Sequence, residues 1–584
     1  MDKKTAAILL ASLMERIECD QTIGTVSSME RQALQVALKA LDVELEPAAT
    51  SHPTLKPANP TLVRSGATNG AVPPPDAGVP ILVAETPAAP SAAVLLPKVS
   101  LVLKSVEREE VTDPNVLMCL DFGTAMSKAF ATVFPNQYLY LELGTEAGKQ
   151  GYTLPSSVFI GDDGRAYFGF EAIEMSQDLV ESGRERLDSI KGWLSLRREG
   201  NLDGESCVLQ KAMNPTNYKL TQGDMIRIYL AYLTDMAEKS LASQGIEEPR
   251  HVKRRFARPC WPDAAQAQWA DKLMRTMMAE AQILADTFSD RWSSGIDVAE
   301  LKSAIDQIKS LGKRPDYLID EGVPEPVAVA AGAIADSENL RDAFMVVDVG
   351  AGTTDFGLFI STRKHDDELR VFQVPASIQG LMQAGDKVDG LLRGFIAGRE
   401  AIDPSDTSGR LILADLTRKI RRLKEALFKS DQLEYALADG TVGKIQLNEF
   451  LADEKVMRFG QAVETGFKKA LEAVDETWLR WLAMDGVRLH VVLTGGSSPL
   501  PMMQALGNGP IDVKGHRILR KAVDPTPAWM KGMPDELLNV YPQLAVAIGG
   551  AAEAMPETLT APPIFGGGGH RSAYVAGHLH ISGS

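Results

Sequence analysis

The segment FMVVDVGAGTTDFGLF, residues 344–359, carries the strongest structural signal in the sequence. One apolar run ends at Asp348, and a second begins at Asp355. Two apolar runs joined by a short glycine-containing segment predict a β-hairpin. The turn consists of small and hydroxyl-bearing residues, Gly350, Ala351, Gly352, Thr353 and Thr354. Such a turn can bring backbone N–H groups and side-chain hydroxyls against an anion.

A similar hairpin is predicted earlier in the chain, in VLMCLDFGTAMSKAFATVF, residues 116–134. Asp121 ends its first apolar run. The turn that follows is again built from small residues, Gly123, Thr124 and Ala125. Taken alone, an Asp-Gly turn commonly occurs for purely structural reasons. Two such turns are suited to gripping a polyphosphate from both sides, with Asp121 and Asp348 holding Mg²⁺ through water.

A third signal lies in LHVVLTGGSSPLPMMQAL, residues 489–506. A strand runs into Gly495, Gly496 and Ser497, and a helix is predicted to start near Pro499–Pro501. Glycines at such a turn permit close backbone approach to a flat ring or a ribose, and a helix N-terminus favours anions. Taken singly, this segment is better explained as an ordinary turn.

The order and spacing of these segments resemble the actin-like ATPase superfamily, and most closely the DnaK-type seventy-kilodalton heat-shock chaperones. Asp121–Thr124 resembles the first phosphate loop of that family, Asp348–Asp355 the second and Leu493–Ser497 the adenosine loop. Further matches, in chain order, are Leu154–Val158, Ser189–Lys191, Glu325–Ala331 and Ala545–Ala551. The sequence contains no Walker A pattern, G-x-x-x-x-G-K-[ST], that would favour another class of nucleotide-binding protein.

The resemblance implies a two-lobed α/β fold, in which mixed sheets flanked by helices hold Mg²⁺ and ATP or ADP in the cleft between the lobes. It implies that Asp121 and Asp348 organise the Mg²⁺ shell, while Lys191 and Glu325 lie near the γ-phosphate and the attacking water. A lysine offsets charge on the transferring group, and a carboxylate aligns water for in-line attack. Two hydroxyls are expected to add phosphate-side hydrogen bonds, those of Thr124 and Thr353. The alternative for Lys191 is an exposed helix lysine.

The segment RKIRRLKEALFKS, residues 418–430, resembles the helix that contacts adenine in this family, with Lys424 at the matching lysine. Arg421 stands where the family has a carboxylate, so contacts to adenine and ribose are less firmly implied than contacts to phosphate. A solvated basic helix face is the alternative for this cluster. Ala125 and Ala351 also depart from the family pattern. Both are small enough to keep the backbone close, so binding should survive while turnover can differ.

Composition restricts the function classes. The 584 residues include 77 acidic and 61 basic side chains, a net charge of −16 at pH 7, which excludes a generally basic nucleic-acid coat. The four cysteines lie far apart without zinc-ligand spacing, and no run of 18 apolar residues predicts a membrane span.

The N-terminus mimics a secretion signal through Lys3, Lys4 and an apolar run. Because Glu15 and Arg16 follow directly, we expect an amphipathic helix and a cytoplasmic location.

Composition also changes along the chain. We predict a helical hairpin, a Pro/Ala-rich linker, a nucleotide-binding body with a helical insertion, and a flexible tail, over residues 1–45, 46–112, 113–556 with the insertion at about 265–315, and 557–584. From Pro47 to Pro97 there are 11 prolines and no aromatic residue, which is typical of a tether. Asp297 with Glu300 predicts a helix start within the insertion. The tail contains four consecutive glycines and three histidines, for which a metal role is the weaker interpretation.

The predicted activity is that of a Mg-dependent ATPase whose cycle acts as a slow conformational switch. A DnaK-type chaperone continues into a peptide-binding β-sandwich, whereas about 30 residues follow Ala551 here, without a series of alternating strands. We therefore expect protein partners to read the ATP cycle through the N-terminal hairpin, the insertion or the lobe surfaces. The alternatives are an actin-like filament protein, a scaffold that binds ATP without hydrolysing it, and a small-molecule kinase, for which no acceptor-site base is identified.

Overall fold

The computed structural model describes residues 95–146, 149–177, 184–195, 199–261, 263–334, 341–363 and 369–559. The described residues all belong to one compact unit of the chain. The helical hairpin expected over 1–45, much of the linker and nearly all of the C-terminal tail lie outside the described residues. The predicted domain boundaries stay predictions.

The first lobe contains a series of strands and a set of helices that cover them. Its strands are β1 (Val116–Asp121), β2 (Met126–Val133), β3 (Gln137–Tyr140), β4 (Gly144–Glu146), β5 (Lys149–Gly151), β6 (Leu154–Pro155), β7 (Val158–Ile160), β8 (Arg165–Phe168), β9 (Lys253–Arg258), β10 (Ile296–Asp297) and β11 (Ile319–Pro324). Its helices are α1 (Lys104–Glu107), α2 (Gly169–Met175), α3 (Gly192–Ser195), α4 (Gln222–Ser243), α5 (Ala264–Thr287), α6 (Val298–Ser310) and α7 (Glu325–Ala333).

The main sheet of the first lobe has the order β11-β9-β1-β2-β3, with β6 paired to β2. β1 and β2 form an antiparallel hairpin, in which Asp121 lies opposite Lys128. β9 pairs in parallel with β1, and β11 pairs in parallel with β9. The hairpin predicted within residues 116–134 is therefore confirmed.

The second lobe follows the same plan. Its strands are β12 (Arg341–Val349), β13 (Thr354–Arg363), β14 (Leu369–Gln373), β15 (Gln379–Leu381), β16 (Gln432–Ala436), β17 (Val442–Gln446), β18 (Leu489–Thr494), β19 (Gly509–Val513), β20 (His516–Val523) and β21 (Glu557–Thr558). Its helices are α8 (Gly385–Arg399), α9 (Thr407–Ser430), α10 (Leu447–Leu451), α11 (Glu454–Glu472), α12 (Glu476–Leu482), α13 (Pro501–Gln504) and α14 (Asp535–Gly550).

The main sheet of the second lobe has the order β19-β20-β18-β12-β13-β14-β21, with β15 paired to β13. β12 and β13 form the second predicted hairpin, β18 is parallel to β12, and β20 is parallel to β18. The series β14-β13-β12-β18-β20 thus repeats the order and strand directions of β3-β2-β1-β9-β11. This duplicated α/β arrangement is the two-lobed actin-like ATPase fold predicted from the sequence.

Strand β12 supplies side chains to two cores, because successive residues of a strand point to opposite faces of the sheet. Ala343, Met345 and Val347 enter the core of the second lobe. Phe344 and Val346 enter a separate core that also contains residues of α7 and α14. A strand covered on both faces reads as a continuous apolar run, as this one does.

Helices α7 and α14 cross at small residues. A Cβ atom at Gly549 would lie 1.7 Å from the carbonyl oxygen of Ala328 and 3.1 Å from the backbone nitrogen of Gly332. The apolar core around this crossing contains residues of both main sheets, among them Cys119 of β1 and Val492 of β18. The crossing therefore joins the two lobes.

Residues 95–112 lie against the first lobe. Val99, Leu101 and Leu103 pack on its core, and the N–H of Val102 donates a hydrogen bond to the Thr287 hydroxyl at 3.1 Å. These residues fall within the region predicted to be linker, and they show that its last part has contacts with α5.

Within the region predicted as a helical insertion, the structure has α5 and α6. The helix start predicted at Asp297 is confirmed, because its carboxylate accepts hydrogen bonds from the N–H groups of Ala299 and Glu300. Across the described ranges, no helix is both long enough and apolar enough to cross a bilayer. The cytoplasmic location stays a prediction.

Candidate functional site

The two acidic hairpins meet at one cleft between the lobes. Their turns are so close that a Cβ atom added to Gly352 would lie 2.9 Å from the Thr124 hydroxyl oxygen. A cavity of about 390 Å³ opens beside them. Its lining includes all but one of the predicted site residues: Asp121, Gly123, Thr124, Ala125, Lys191, Glu325, Asp348, Gly350, Ala351, Gly352, Thr353, Lys424, Gly495, Gly496 and Ser497. Side chains and backbone from both lobes therefore share one site.

The first turn depends on glycine and on a neighbouring serine. A Cβ atom at Gly123 would lie 2.0 Å from the carbonyl oxygen of Met126, so the turn as built excludes a side chain there. The Ser156 hydroxyl donates to the carbonyl of Gly123 at 2.7 Å. Asp121, at the end of β1, accepts a hydrogen bond from the Lys128 ammonium at 3.0 Å. This turn therefore presents a carboxylate and an ammonium group side by side in the cleft.

The second turn is held by hydrogen bonds to the aspartates at its two ends, Asp348 and Asp355. Asp348 accepts from the Thr494 hydroxyl at 3.1 Å, across the parallel pairing of β12 with β18. Asp355, at the start of β13, accepts from the Thr353 hydroxyl at 2.7 Å and from the Cys260 N–H at 2.8 Å. Because Cys260 belongs to the first lobe, this last bond connects the lobes behind the cleft.

Thr354 is placed differently from the prediction. Its side chain is fully buried, and its hydroxyl donates to the carbonyl of Gln383 at 2.8 Å. It does not line the cavity, because the first residue of the returning strand, paired with Val349, turns its side chain into the lobe. Its hydroxyl stabilises the turn from behind, and we no longer expect it to contact a nucleotide.

Lys191 and Glu325 form a buried ion pair. The ammonium nitrogen and carboxylate oxygen lie 2.6 Å apart, and the side chains are 7% and 8% exposed. Burial by itself lowers the pKa of Lys191, but the carboxylates of Glu325 and Asp121 outweigh burial and raise the pKa above its ordinary value. The raised pKa favours the charged form of the lysine. Its burial excludes the interpretation of Lys191 as an exposed helix lysine.

Carboxylates are crowded around this pair. Burial raises the pKa of Asp348 to about 7, with further contributions from the negative charges of Glu325 and Asp121. Burial and the charge of Glu325 likewise raise the pKa of Asp355 well above its ordinary range. A cation that entered this cluster would favour the ionised forms of all these groups.

Two of the cavity carboxylates, Asp121 and Asp348, are the residues predicted to hold a hydrated Mg²⁺. Among the residues that the structure describes, no group of three or more His, Cys, Asp or Glu side chains is arranged to hold a metal ion directly. Asp121 and Asp348 nevertheless influence each other electrostatically and both line the cavity. Carboxylates that act through coordinated water suit Mg²⁺, which keeps several of its waters when bound to proteins.

The third turn follows β18 and closes against the second turn. Gly495 has a φ of 85°, a left-handed conformation that favours glycine. A Cβ atom there would lie 2.3 Å from the carbonyl oxygen of Val349. The N–H of Gly495 donates to the carbonyl of Pro542, and the N–H of Ser497 donates to that of Val349. The glycine turn is thus locked between β12 and α14, with one side facing the cavity.

Helix α9 forms part of the cavity wall in the second lobe. Lys424 pairs with Asp389 at 2.8 Å and donates to the carbonyl of Gly385 at 3.2 Å. Arg421 pairs with Asp386 at 3.3 Å. Both basic residues line the cavity, so this face of α9 is not simply a solvated charge cluster.

The sequence interpretation missed several residues that line the cavity, namely Lys128, Phe428, Leu500, Gln543 and Val546. Lys128 lies opposite Asp121 in the hairpin, because the connection between them is six residues long, residues 122–127. Phe428 lies four residues after Lys424, so the two share one face of a helix. Gln543 and Val546 lie on α14, and no local motif marked them as site residues.

Comparison with known proteins gives a distant similarity. No family model matches the chain. Over 247 residues, the chain is 26% identical to a chaperone protein HscA homolog from Shewanella amazonensis. The match covers 41% of this chain and 36% of that chaperone's length. It agrees with the resemblance to seventy-kilodalton heat-shock chaperones at the level of the ATPase superfamily.

Proposed function

We propose that this chain is a Mg-dependent ATPase, converting ATP to ADP and phosphate, whose lobes act as a chaperone-like conformational switch. The observation that carries the proposal is the convergence of two acidic hairpin turns and one buried Lys–Glu pair on a single cavity. The similarity to an HscA homolog supports the chaperone-like interpretation. Because that similarity covers a minority of both chains, the activity and partners are proposed for this chain rather than transferred to it.

The two hairpin turns would bind the phosphates from opposite lobes. Because Gly123 and Gly352 have no side chain, the backbone of both turns could approach the phosphates closely. There is no room for a side chain at either position, since an added Cβ atom would lie within 3 Å of a neighbouring atom. Thr124 would donate a hydroxyl hydrogen bond at the same place, and Thr353 would do so by exchanging its hydrogen bond to Asp355 for one to a phosphate oxygen. Asp121 and Asp348 would hold Mg²⁺ through water, and the bound ion would offset negative charge on the phosphate oxygens.

The Lys191–Glu325 pair would serve hydrolysis. Lys191 would stabilise charge that develops on the transferring phosphoryl group, and Glu325 would orient the attacking water. Lys128 provides a second cation at the first turn, which adds to the electrostatic stabilisation of the phosphates. These are positioning and electrostatic roles, which suits a reaction that needs little covalent chemistry from the protein.

The nucleoside would lie between the glycine turn and α9. Gly495, Gly496 and Ser497 expose backbone to the cavity, and Lys424 and Phe428 line the opposite wall. Binding would draw the lobes together, because each lobe supplies part of the phosphate site. We propose that the affinity of protein partners depends on this closure, and that they bind the N-terminal segment or the surface of α5 and α6.

Phosphate release from ATP by the purified chain tests the proposal. Asp348→Asn should lower the Mg-dependent rate by about 100-fold or more, since it removes a preorganised charge from the site. Asp439→Asn is the matched control, because Asp439 lies in the exposed turn between β16 and β17 and caps Thr441. Unchanged phosphate release by the Asp348→Asn variant would refute the proposed site.

Three further measurements separate the alternatives. A Glu325→Ala variant that binds ATP, lacks turnover and still engages partners would favour an ATP-bound scaffold over a hydrolytic switch. Sedimentation after addition of ATP would favour an actin-like filament, whereas a constant small particle would favour the switch. Conversion of ATP to ADP that depends on an added sugar or acetate would favour a kinase, because a kinase transfers the phosphoryl group to its acceptor, whereas phosphate release without any acceptor argues against one.

A further inference from the structure

Asp386 contacts three elements around the cleft. It lies in the first turn of α8, and its backbone N–H donates to the carbonyl of Ala351 in the second hairpin turn at 2.8 Å. Its Oδ2 atom accepts from the Ser189 hydroxyl at 3.2 Å. Its Oδ1 atom accepts from the Arg421 guanidinium at 3.3 Å. The Asp386 carboxylate thus connects the first lobe with α9, the helix that carries Arg421.

The contact with Ser189 bears directly on Lys191, which lies two residues later. Ser189 has a φ of 59°, in the left-handed region that non-glycine residues adopt infrequently. Its carbonyl accepts from the N–H of Gly192 at 2.9 Å, which closes a turn around Lys191. The position of Ser189 therefore sets where Lys191 meets Glu325.

The turn that carries Lys191 is also fixed to its own lobe. Asp188 accepts two hydrogen bonds from the Arg186 guanidinium, each of 2.9 Å, and one from the Ser157 hydroxyl. The N–H of Leu187 donates to the carbonyl of Val158 at 2.8 Å. Because these bonds hold the turn to the first lobe, opening of the cleft would break the Ser189–Asp386 contact rather than bend the turn.

We infer that Asp386 is a positioning residue of the closed cleft, an inference that rests on the proposed function. Its carboxylate holds the Lys191 turn against the second lobe while ATP is bound, and it thereby slows release of the nucleotide. Asp386 does not line the cavity and acts through Ser189 and Arg421. Arg421 does line the cavity, so Asp386 links the Lys191 turn to the nucleoside end of the site.

Stopped-flow kinetics of a ribose-labelled fluorescent ATP with the full chain tests this inference. Ser189→Ala and Asp386→Ala should each raise the dissociation rate constant by about tenfold to 100-fold, the range for one hydrogen bond to a charged group. The association rate constant should stay unchanged, because the contact forms only after closure. The double variant should release the nucleotide no faster than the Asp386→Ala variant, since both changes break the same contact.

Ser405→Ala is the matched control. It removes a serine–aspartate hydrogen bond of 2.7 Å, from Ser405 to Asp403, in an exposed segment before α9, and it should leave both rate constants unchanged. Wild-type dissociation by the Ser189→Ala variant, or additive effects in the double variant, would overturn the role of Asp386. A wild-type chain that fails to bind the labelled ATP would instead overturn the proposed function.

Discussion

The excess of carboxylates where the two hairpin turns meet explains the raised pKa values of Asp348 and Asp355. Carboxylates of Asp348 and Asp355 are buried beside Glu325, and the lysine of the pair with Glu325 offsets only part of this negative charge. Like charges in a low-dielectric site raise each other's pKa. Negative charge is therefore concentrated in this cavity, and the proposed Mg²⁺ would offset part of it.

Variants of the buried Lys191–Glu325 pair should distinguish its effect on the free energy of unfolding from its effect on ATP hydrolysis. Lys191→Met should lower the free energy of unfolding by about 3–5 kcal/mol, because it leaves the Glu325 carboxylate buried without its cation. The double variant Lys191→Met, Glu325→Leu should recover most of that loss, since well-packed apolar residues often replace a buried ion pair without penalty. Urea unfolding measures the stability, and phosphate release should be lost in both variants.

Two outcomes would contradict this prediction. Equal unfolding free energies of the Lys191→Met variant and the wild type would mean that water reaches the Glu325 carboxylate in the folded chain. Phosphate release by the double variant at the wild-type rate would mean that the pair is structural and that hydrolysis occurs elsewhere.

Individual site residues were predictable to different degrees. Asp121 and Asp348 could be predicted because each ends an apolar strand before a glycine turn, a local pattern. Lys191 and Glu325 lie 134 residues apart, so their contact came from resemblance and not from spacing. Thr354 was misplaced because the alternation of the returning strand, which turns its hydroxyl away from the cleft, was not applied to it.

At the scale of elements, α4 and α5 pack against β9 through buried ionic groups. Arg254 of β9 pairs with Glu238 of α4 at 3.1 Å and donates to the amide oxygen of Gln282 in α5. Burial raises the pKa of Glu238 to about 7, although the charge of Arg254 opposes that rise. In the unfolded chain, Glu238 would titrate near its ordinary value of 4.5.

This shift makes stability depend on pH. Between pH 4.5 and 7 the folded chain holds a proton on Glu238 that the unfolded chain releases, so the free energy of unfolding falls as the pH rises, by about 3 kcal/mol in total. Glu238→Gln removes that contribution. The unfolding free energy of the variant, relative to the wild type, should therefore increase by about 3 kcal/mol from pH 4.5 to pH 8.

Urea unfolding at several pH values measures this difference. Glu434→Gln, on the exposed strand β16, controls for the loss of one negative charge. Parallel pH curves for the Glu238→Gln variant and the wild type would show that Glu238 titrates alike in the folded and unfolded chains. That result would also mean that water reaches the Arg254–Glu238 pair.

At the scale of the whole molecule, the two lobes are copies of one topology. The resemblance to the actin-like ATPase superfamily implied two lobes, and the main sheets of both lobes have the same central order. The parallel partners β9, β11, β18 and β20 were not assigned from the sequence, because parallel pairing joins strands that are distant along the chain. The close helix crossing was also not predicted, since the glycines in α7 and α14 do not by themselves show which other helix they contact.

That crossing gives the last prediction, which concerns communication between the lobes. Gly549→Ala would place a Cβ atom 1.7 Å from the carbonyl oxygen of Ala328, so α7 and α14 must separate. Overpacking of this kind costs about 1–3 kcal/mol, and the displaced lobes should bind ATP more weakly, although Gly549 does not line the cavity. Gly398→Ala in α8 is the control, because open space surrounds that position and alanine favours a helix. Thermal unfolding and ATP titration measure both effects. Loss of stability with unchanged ATP affinity would show that closure does not depend on how the two helices cross.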